Sequence, residues 1–176
     1  VLGTSMQSVG EVMSMASTFT ESLTKAIRSL EIGKTGIRNI DNRFINLDRL
    51  ELEKEIAVPR PRRIFAVLEA LRRNWSVSKI SNLSYIDEWF LFEIEKSFNV
   101  NQETTPTTIL KMLGWTEDDI DIKDIKDELS KNRVYKLVDT CSAEFSSITP
   151  YLYSTTGTED DDISSNKEKV VVIGSG

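Results

Sequence analysis

The chain has 176 residues, enough for one domain with its own core or for two small ones, and is 39% hydrophobic and 28% charged. Lys and Arg total 22 against 28 for Asp and Glu, a net charge of -6 whose field repels phosphate backbones and anionic lipid. With no histidine and one cysteine, Cys141, the chain has no Ser-His-Asp or Cys-His catalytic set, no zinc site of the usual Cys/His kind and no internal disulfide.

No apolar run approaches the ~20 residues of a membrane span, and no signal peptide is visible. A single cysteine fits a reducing compartment, which points to the cytoplasm or a eukaryotic organelle. The opening, Val1-Leu2-Gly3-Thr4-Ser5, reads as the end of a sheet element. Thr18 followed by Glu21 has the spacing of a capping box. Leu23, Ala26, Ile27 and Leu30 then recur at helical spacing until Gly33, which predicts a helix from about Phe19 to Glu31. Lys34 to Leu47 is weakly patterned and polar, a predicted loop. Leu47 to Ile56 reads as a short amphipathic helix ended by Pro59. Pro61 suits a first helical position, since its missing N–H would be unpaired there anyway. Ile64, Phe65, Val67, Leu68 and Leu71 give the next helix a broad apolar face, closed by Arg72, Arg73 and Asn74.

Ser76 is placed to cap a short helix through Val77, Ile80 and Leu83. Asp87 is placed to cap another, where Trp89, Phe90, Leu91, Phe92, Ile94 and Phe98 are apolar on nearly every side. Such a helix belongs among neighbours or at an interface. Two more helices are predicted, Thr107 to Leu113 and Thr116 to Leu129. After Asn132 the segments Val134–Val138, Cys141–Phe145 and Tyr151–Thr155 read as irregular extended structure. Gly157 to Lys169 is an acidic, solvated linker. Val170, Val171, Val172 and Ile173 read as a strand buried on both faces, running into a Gly174-Ser175-Gly176 turn. A turn of that type normally opens a helix whose N-terminus faces a phosphate. Because the chain stops there, ATP binding by this chain itself is disfavoured, and a piece of a larger protein is expected. The predicted architecture is mainly α, an irregular orthogonal array of about six or seven mostly short helices with short extended segments at both ends.

No group of residues makes a catalytic, cofactor-binding or metal site. Ser76 to Phe92 has helix-turn-helix form, but its second helix carries Asp87, Glu88, Glu93 and Glu95 against Lys96 alone, the wrong charge for a recognition face. Arg60, Arg62, Arg63, Arg72 and Arg73 form a basic cluster that suits a phosphorylated ligand or, the favoured reading, acidic partners across a subunit or domain contact. Trp89, Phe90 and Phe92 are core by default and a contact surface if left uncovered. Those three aromatics with Arg62 and Arg63 are the candidate interface. Cys141 reads as a buried, inert thiol. Asp118, Asp119, Asp121, Asp124 and Asp127 lack calcium-loop spacing and read as a solvated helix face, and Asp160, Asp161 and Asp162 as linker charges.

Four segments occur in a telling order: Gln7 to Met13, Lys25 to Glu31, Ile86 to Leu91, and Val134 to Phe145, the last containing Asp139-Thr140-Cys141-Ser142-Ala143-Glu144-Phe145. With Tyr151–Thr155 and Lys169–Gly176 they resemble the central portion of the large chain of carbamoyl-phosphate synthetase, over nearly the whole length. The resemblance implies a helical oligomerisation domain at 17–138, preceded at 1–16 by the end of one ATP-grasp synthetase half. It also implies an extended segment and acidic linker at 139–168, then the first strand and turn of a second half at 169–176. In that family one half phosphorylates bicarbonate and, with ammonia, makes carbamate; the other phosphorylates carbamate with a second ATP. The expected partners are other copies or neighbouring synthetase domains, and a glutaminase subunit or domain that supplies ammonia. ATP and Mg or Mn belong to the synthetase halves, and no catalytic residue carries over to this chain. Two departures stand out: Ser14-Met15-Ala16-Ser17 replaces small, glycine and arginine residues, and the stretch from Gly114 to Val134 is shorter than usual. The competing reading is a stand-alone helical module that binds nucleic acid or protein.

Overall fold

The computed structural model describes residue 4 and residues 12–34, 36–37, 41–98, 133–162 and 165–172. Among these the chain is mainly α, with six helices and one two-stranded sheet. The helices α1 (Phe19–Ser29), α2 (Asn42–Ile45), α3 (Arg49–Ala57), α4 (Arg63–Arg72), α5 (Val77–Ser84) and α6 (Glu88–Lys96) are followed by β1 (Arg133–Leu137) and β2 (Leu152–Thr156). The helices predicted at Thr107–Leu113 and Thr116–Leu129, the Gln7–Glu11 part of the opening motif and the final Ile173–Gly176 turn lie outside the described residues.

Local chemistry sets most helix starts. The side chains of Thr18, Ser76 and Asp87 accept from the first-turn amides of Glu21, Lys79 and Trp89, as their spacing predicts. Two further caps lie in or beside the segment read as loop. Asp41 accepts from Arg43 N and starts the single turn of α2, which buries Phe44. Asp48 and Glu51 close a reciprocal capping box at the start of α3. One start differs from expectation. Pro61 does not open α4; it sits in a turn two residues before the helix, and Arg62 takes the cap position without a capping side chain.

The core surrounds α4, whose residues Phe65 to Leu71 are all buried. Leu52 and Ile56 of α3, Val77 and Ile80 of α5, Leu91 and Ile94 of α6, Ile27 of α1 and Phe44 of α2 complete it. Each such side chain contributes about 1.5–3 kcal/mol by leaving water, against the entropy of ordering it. α1 turns the predicted side inward in part: Ile27 is buried and Leu23 packs against the core, joined by Thr20 and Thr24, while Leu30, just past the helix, is exposed. α1 ends at Ser29, with Glu31 itself in the left-handed region at φ 52°, ahead of Gly33.

β1 and β2 pair antiparallel in the register Val134↔Thr155, Lys136↔Tyr153. Two of the three segments read as irregular extended structure thus form a regular ladder, while Cys141–Phe145 lies in the connection, which is too long for turn chemistry to announce the pairing. Tail residues Val170, Val171 and Val172 form no strand and are exposed. The expected strand has no neighbouring strand to complete its ladder among the described residues.

Candidate functional site

Two surfaces carry features beyond core packing. The first is aromatic. On α6, Leu91 and Ile94 face the core while Trp89, Phe90 and Phe92 remain 54%, 41% and 47% exposed. Phe19 of α1 joins the first two of these: its ring lies 5.6 Å from Trp89 and 5.1 Å from Phe90, and those two meet edge to face at 5.0 Å. The ring separations fall in the favourable aromatic range, so the patch is held in shape before anything covers it. Phe19 has no sequence signal beyond its place after the Thr18 cap.

Arg62 and Arg63 lie elsewhere, at the start of α4. No hydrogen bond, ion pair or ring contact links them to the aromatic patch among the described residues. Most of the basic cluster finds its acidic partners inside the domain. Arg62 Nη1 donates to Asp41 Oδ2 at 3.4 Å, where Arg43 also donates at 3.2 Å. Arg60 pairs with Glu55 at 2.7 Å. Arg43, Arg60 and Arg62 line an open hollow of about 460 Å³ floored by Phe44, Leu47 and Pro61. Glu69, nearly buried on α4, receives both Arg72 and Arg73. Burial works to raise the Glu69 carboxyl, but hydrogen bonds and charge from the two guanidiniums outweigh it and hold the group below the usual carboxylate range. Arg73 also donates to the carbonyls of Leu47, Phe44 and Ile45 at 2.9, 2.9 and 2.8 Å. It bolts the α2–α3 junction to α4.

The second surface is where the sheet meets α1. Glu21 and Lys25 of α1 make a 3.0 Å ion pair that reaches residues 15–17 on one side and Ser154 and Thr155 of β2 on the other. Sequence reading missed this network, since nothing local announces contacts more than 100 residues apart. The acidic segment behind β2 is also more structured than a solvated linker. Asp160 accepts from Tyr135 N and Asp161 from Leu137 N, along the free edge of β1. The Leu137 amide, then the Lys136 ammonium, lower the Asp161 carboxyl below its ordinary value.

Between the strands, the motif Asp139–Phe145 forms a tight turn. Asp139 accepts from the amides of Cys141 at 2.8 Å and Ala143 at 2.6 Å, with Ser142 and Ala143 both at positive φ. Ser147 and Thr149 hydroxyls donate to the Val138 carbonyl. Cys141 is only half-buried there, not the buried thiol expected, because the turn keeps its side chain near the surface. On the helix-turn-helix question, α5 and α6 do pack together, and α6 carries acidic residues where a recognition helix needs basic ones. No helix among the described residues is long and apolar enough to cross a membrane.

The comparisons with known proteins agree with one another. A family model described as the oligomerisation domain of the carbamoyl-phosphate synthetase large chain matches residues 11–120. The carbamoyl phosphate synthase large chain of Xanthomonas campestris is 36% identical over 99% of this chain, and that of Thermoanaerobacter pseudethanolicus 39% identical over 99%. The corresponding protein of Archaeoglobus fulgidus is 35% identical over 100%. In each case the matched region is 18% of the relative, so the chain spans under a fifth of the length of these relatives.

Proposed function

The chain belongs to the family of carbamoyl-phosphate synthetase large-chain oligomerisation domains, and we propose that it works there as a self-association surface and as the spacer between two ATP-grasp synthetase halves. The observation that carries the first part is the pre-formed aromatic cluster of Phe19, Trp89 and Phe90, with Phe92 exposed on the same helix. Isolated exposed apolar residues need no explanation, but three aromatics on one short helix, propped by a fourth from α1, form a contact surface. A second copy is the occupant, and Arg62 and Arg63 add a charged contact away from that patch. A stable dimer of this kind buries at least about 1,000 Å² in total.

The wider reading follows from the family. The parent is a ligase that makes carbamoyl phosphate, for arginine or pyrimidine synthesis, from bicarbonate, two ATP and ammonia released from glutamine by a glutaminase partner. ATP and Mg or Mn are held by the synthetase halves, in the cytoplasm or an organelle, while this chain performs no chemistry. The helical core supports that division of labour: among the described residues its two buried carboxylates, Asp41 and Glu69, are each neutralised by two arginines.

Light scattering on size-exclusion fractions across a concentration series tests the association. The mass should rise with concentration and the rise should survive 1 M salt, at which exposed charges are screened beyond about 3 Å. The double substitution Trp89→Ser, Phe90→Ser should keep the chain monomeric with its helical circular dichroism intact. Association that persists in that variant, or that disappears in salt, would overturn the reading. Retention on DNA that depends on salt would favour the binding-module alternative instead.

A further inference from the structure

We infer that Lys25 and Glu21 of α1 clamp the incoming segment of the domain, residues 14–17, against the outgoing strand β2, so that one ion pair fixes how the two stems of the domain sit side by side. The inference needs the spacer reading above only for its last step, the consequence for two synthetase halves.

An ammonium has three N–H donors and no acceptor. Lys25 donates to two carbonyls from different segments, Met15 at 2.9 Å and Ser154 in a close contact, and its ammonium pairs with Glu21 Oε1 at 3.0 Å. The other carboxylate oxygen repeats the pattern. Glu21 Oε2 accepts from the Thr155 hydroxyl at 2.8 Å and the Ser17 hydroxyl at 3.3 Å, and those two hydroxyls are themselves 2.8 Å apart. Ser14 and Ser22 add a further tie between the incoming segment and α1, with Ser14 Oγ donating to Ser22 O at 2.6 Å. The Lys25 and Glu21 side chains are only 24% and 12% exposed, so water competes weakly. Tyr153 places its ring 5.9 Å from the ammonium.

Apolar packing would hold these segments together but would tolerate sliding. Carbonyl-to-ammonium bonds do not. Successive carbonyls of a strand point to opposite edges, so a one-residue slip of β2 would turn the Ser154 carbonyl away from Lys25. The pair therefore reads register as well as proximity. It also closes a chain loop of 129 residues between Lys25 and Ser154, which leaves the helical lobe hanging from two adjacent stems. In the large chain, those stems would lead to the two synthetase halves, and the clamp would make Lys25 and Glu21 positioning residues for their coupled reactions.

The test places spin labels at Met13→Cys and Thr158→Cys in a Cys141→Ser background and measures their separation by double electron–electron resonance. The unaltered clamp should give one narrow distance. Lys25→Met should broaden the distribution or shift it outward while the far-ultraviolet circular dichroism stays unchanged. Thr155→Val, which removes the hydroxyl's contacts with Glu21 and Ser17 but leaves the Lys25–Ser154 bond, guards against a Lys25 variant that fails to fold and should give a smaller change in the same direction. Lys25→Arg should restore part of the narrow peak. A distribution unaffected by both Lys25→Met and Thr155→Val overturns the clamp. In the full large chain, Lys25→Met should leave the two partial phosphorylations intact while lowering carbamoyl phosphate formed per ATP by at least about fivefold, the low end of ordinary site coupling. Equal loss of both partial reactions, or an unchanged yield, would sink the positioning role. Absence of either partial reaction from the unaltered large chain would refute the spacer reading alone and leave the distance result standing.

Discussion

Arg73→Met should destabilise the fold by more than any other exposed-rim substitution, for reasons that can be counted. Arg73 sits at the C-terminal end of α4 with its side chain 25% exposed. Its guanidinium donates to Glu69 at 2.6 Å and to the carbonyls of Leu47, Phe44 and Ile45, which lie 26, 29 and 28 residues away. A hydrogen bond to a charged group is worth about 1.5–3 kcal/mol when both partners are dry, and less when water can replace it. Ile45 is itself exposed, and Glu69 keeps Arg72. Two of the four bonds then carry most of the loss, which gives about 2–4 kcal/mol. For a chain of this size that is a fall in melting temperature of about 2–4 °C for each kcal/mol. Urea melts followed by circular dichroism at pH 7 measure it as a lower midpoint at unchanged slope. Arg73→Lys should recover less than half, because an ammonium cannot span three carbonyls in the guanidinium's fork. The pH dependence has a fixed sign. The Glu69 carboxyl is lowered in the folded state, so its pairing stabilises the fold above its unfolded value and is lost as pH falls through the folded one. The gap between the unaltered chain and Arg73→Met should therefore narrow below about pH 4. A loss under about 0.5 kcal/mol, or a gap that widens in acid, would refute the bolt.

Leu52→Ala, at a side chain with no exposure, should cost about 2–5 kcal/mol in the same urea assay. Gly157→Ala places a new methyl 3.0 Å from Val134 Cγ2, a distance that side chain can relieve only by moving, and should lower the thermal midpoint by the equivalent of about 1 kcal/mol. Adding Val134→Ala should give a double variant more stable than the two single losses summed. Asp161→Asn should speed hydrogen exchange at the Leu137 amide without changing the helices. The same amide in the unaltered chain should lose protection as pH falls through the lowered Asp161 value.

Helix existence was legible wherever a hydroxyl or carboxylate preceded an apolar repeat. The Thr18, Ser76 and Asp87 caps each start a helix within one residue of the predicted place. Two failures have different causes. Asp41 is an equally good cap, but the segment between Lys34 and Leu47 has too few apolar residues to look periodic, so the single turn of α2 passes as loop. Pro61 fits a first helical position in isolation, yet the turn at 61–62 leaves Arg62 beside Asp41, and that arrangement starts the helix two residues later. The aromatic stripe on α6 was legible as a choice between core and contact. The helix divides it: Leu91 and Ile94 go in, and Trp89, Phe90 and Phe92 stay out. What no local pattern carried were the long-range polar ties. Lys25 and Glu21 look like an ordinary i,i+4 surface pair on a helix, and only the return of β2 gives them their remaining partners.

Stability and position are met here by different chemistry. The apolar core around α4 supplies the bulk of the stability, but hydrophobic contacts are non-directional, and a core of this kind accommodates shifts of a few tenths of an ångström at small cost. On the proposed reading as a spacer, the domain has to do more than stay folded. Its two stems must leave at one separation. The structure meets that need with cations aimed at carbonyls from sequence-remote segments. Arg73 gathers Phe44, Ile45 and Leu47 onto α4, and Lys25 gathers Met15 and Ser154 onto α1. Each cation is held in place by a carboxylate one helical turn earlier, Glu69 for Arg73 and Glu21 for Lys25. The repeated device makes the two ties separable from the core. Glu21 variants should loosen the stem geometry before they cost much stability, whereas core variants such as Leu52→Ala should do the reverse.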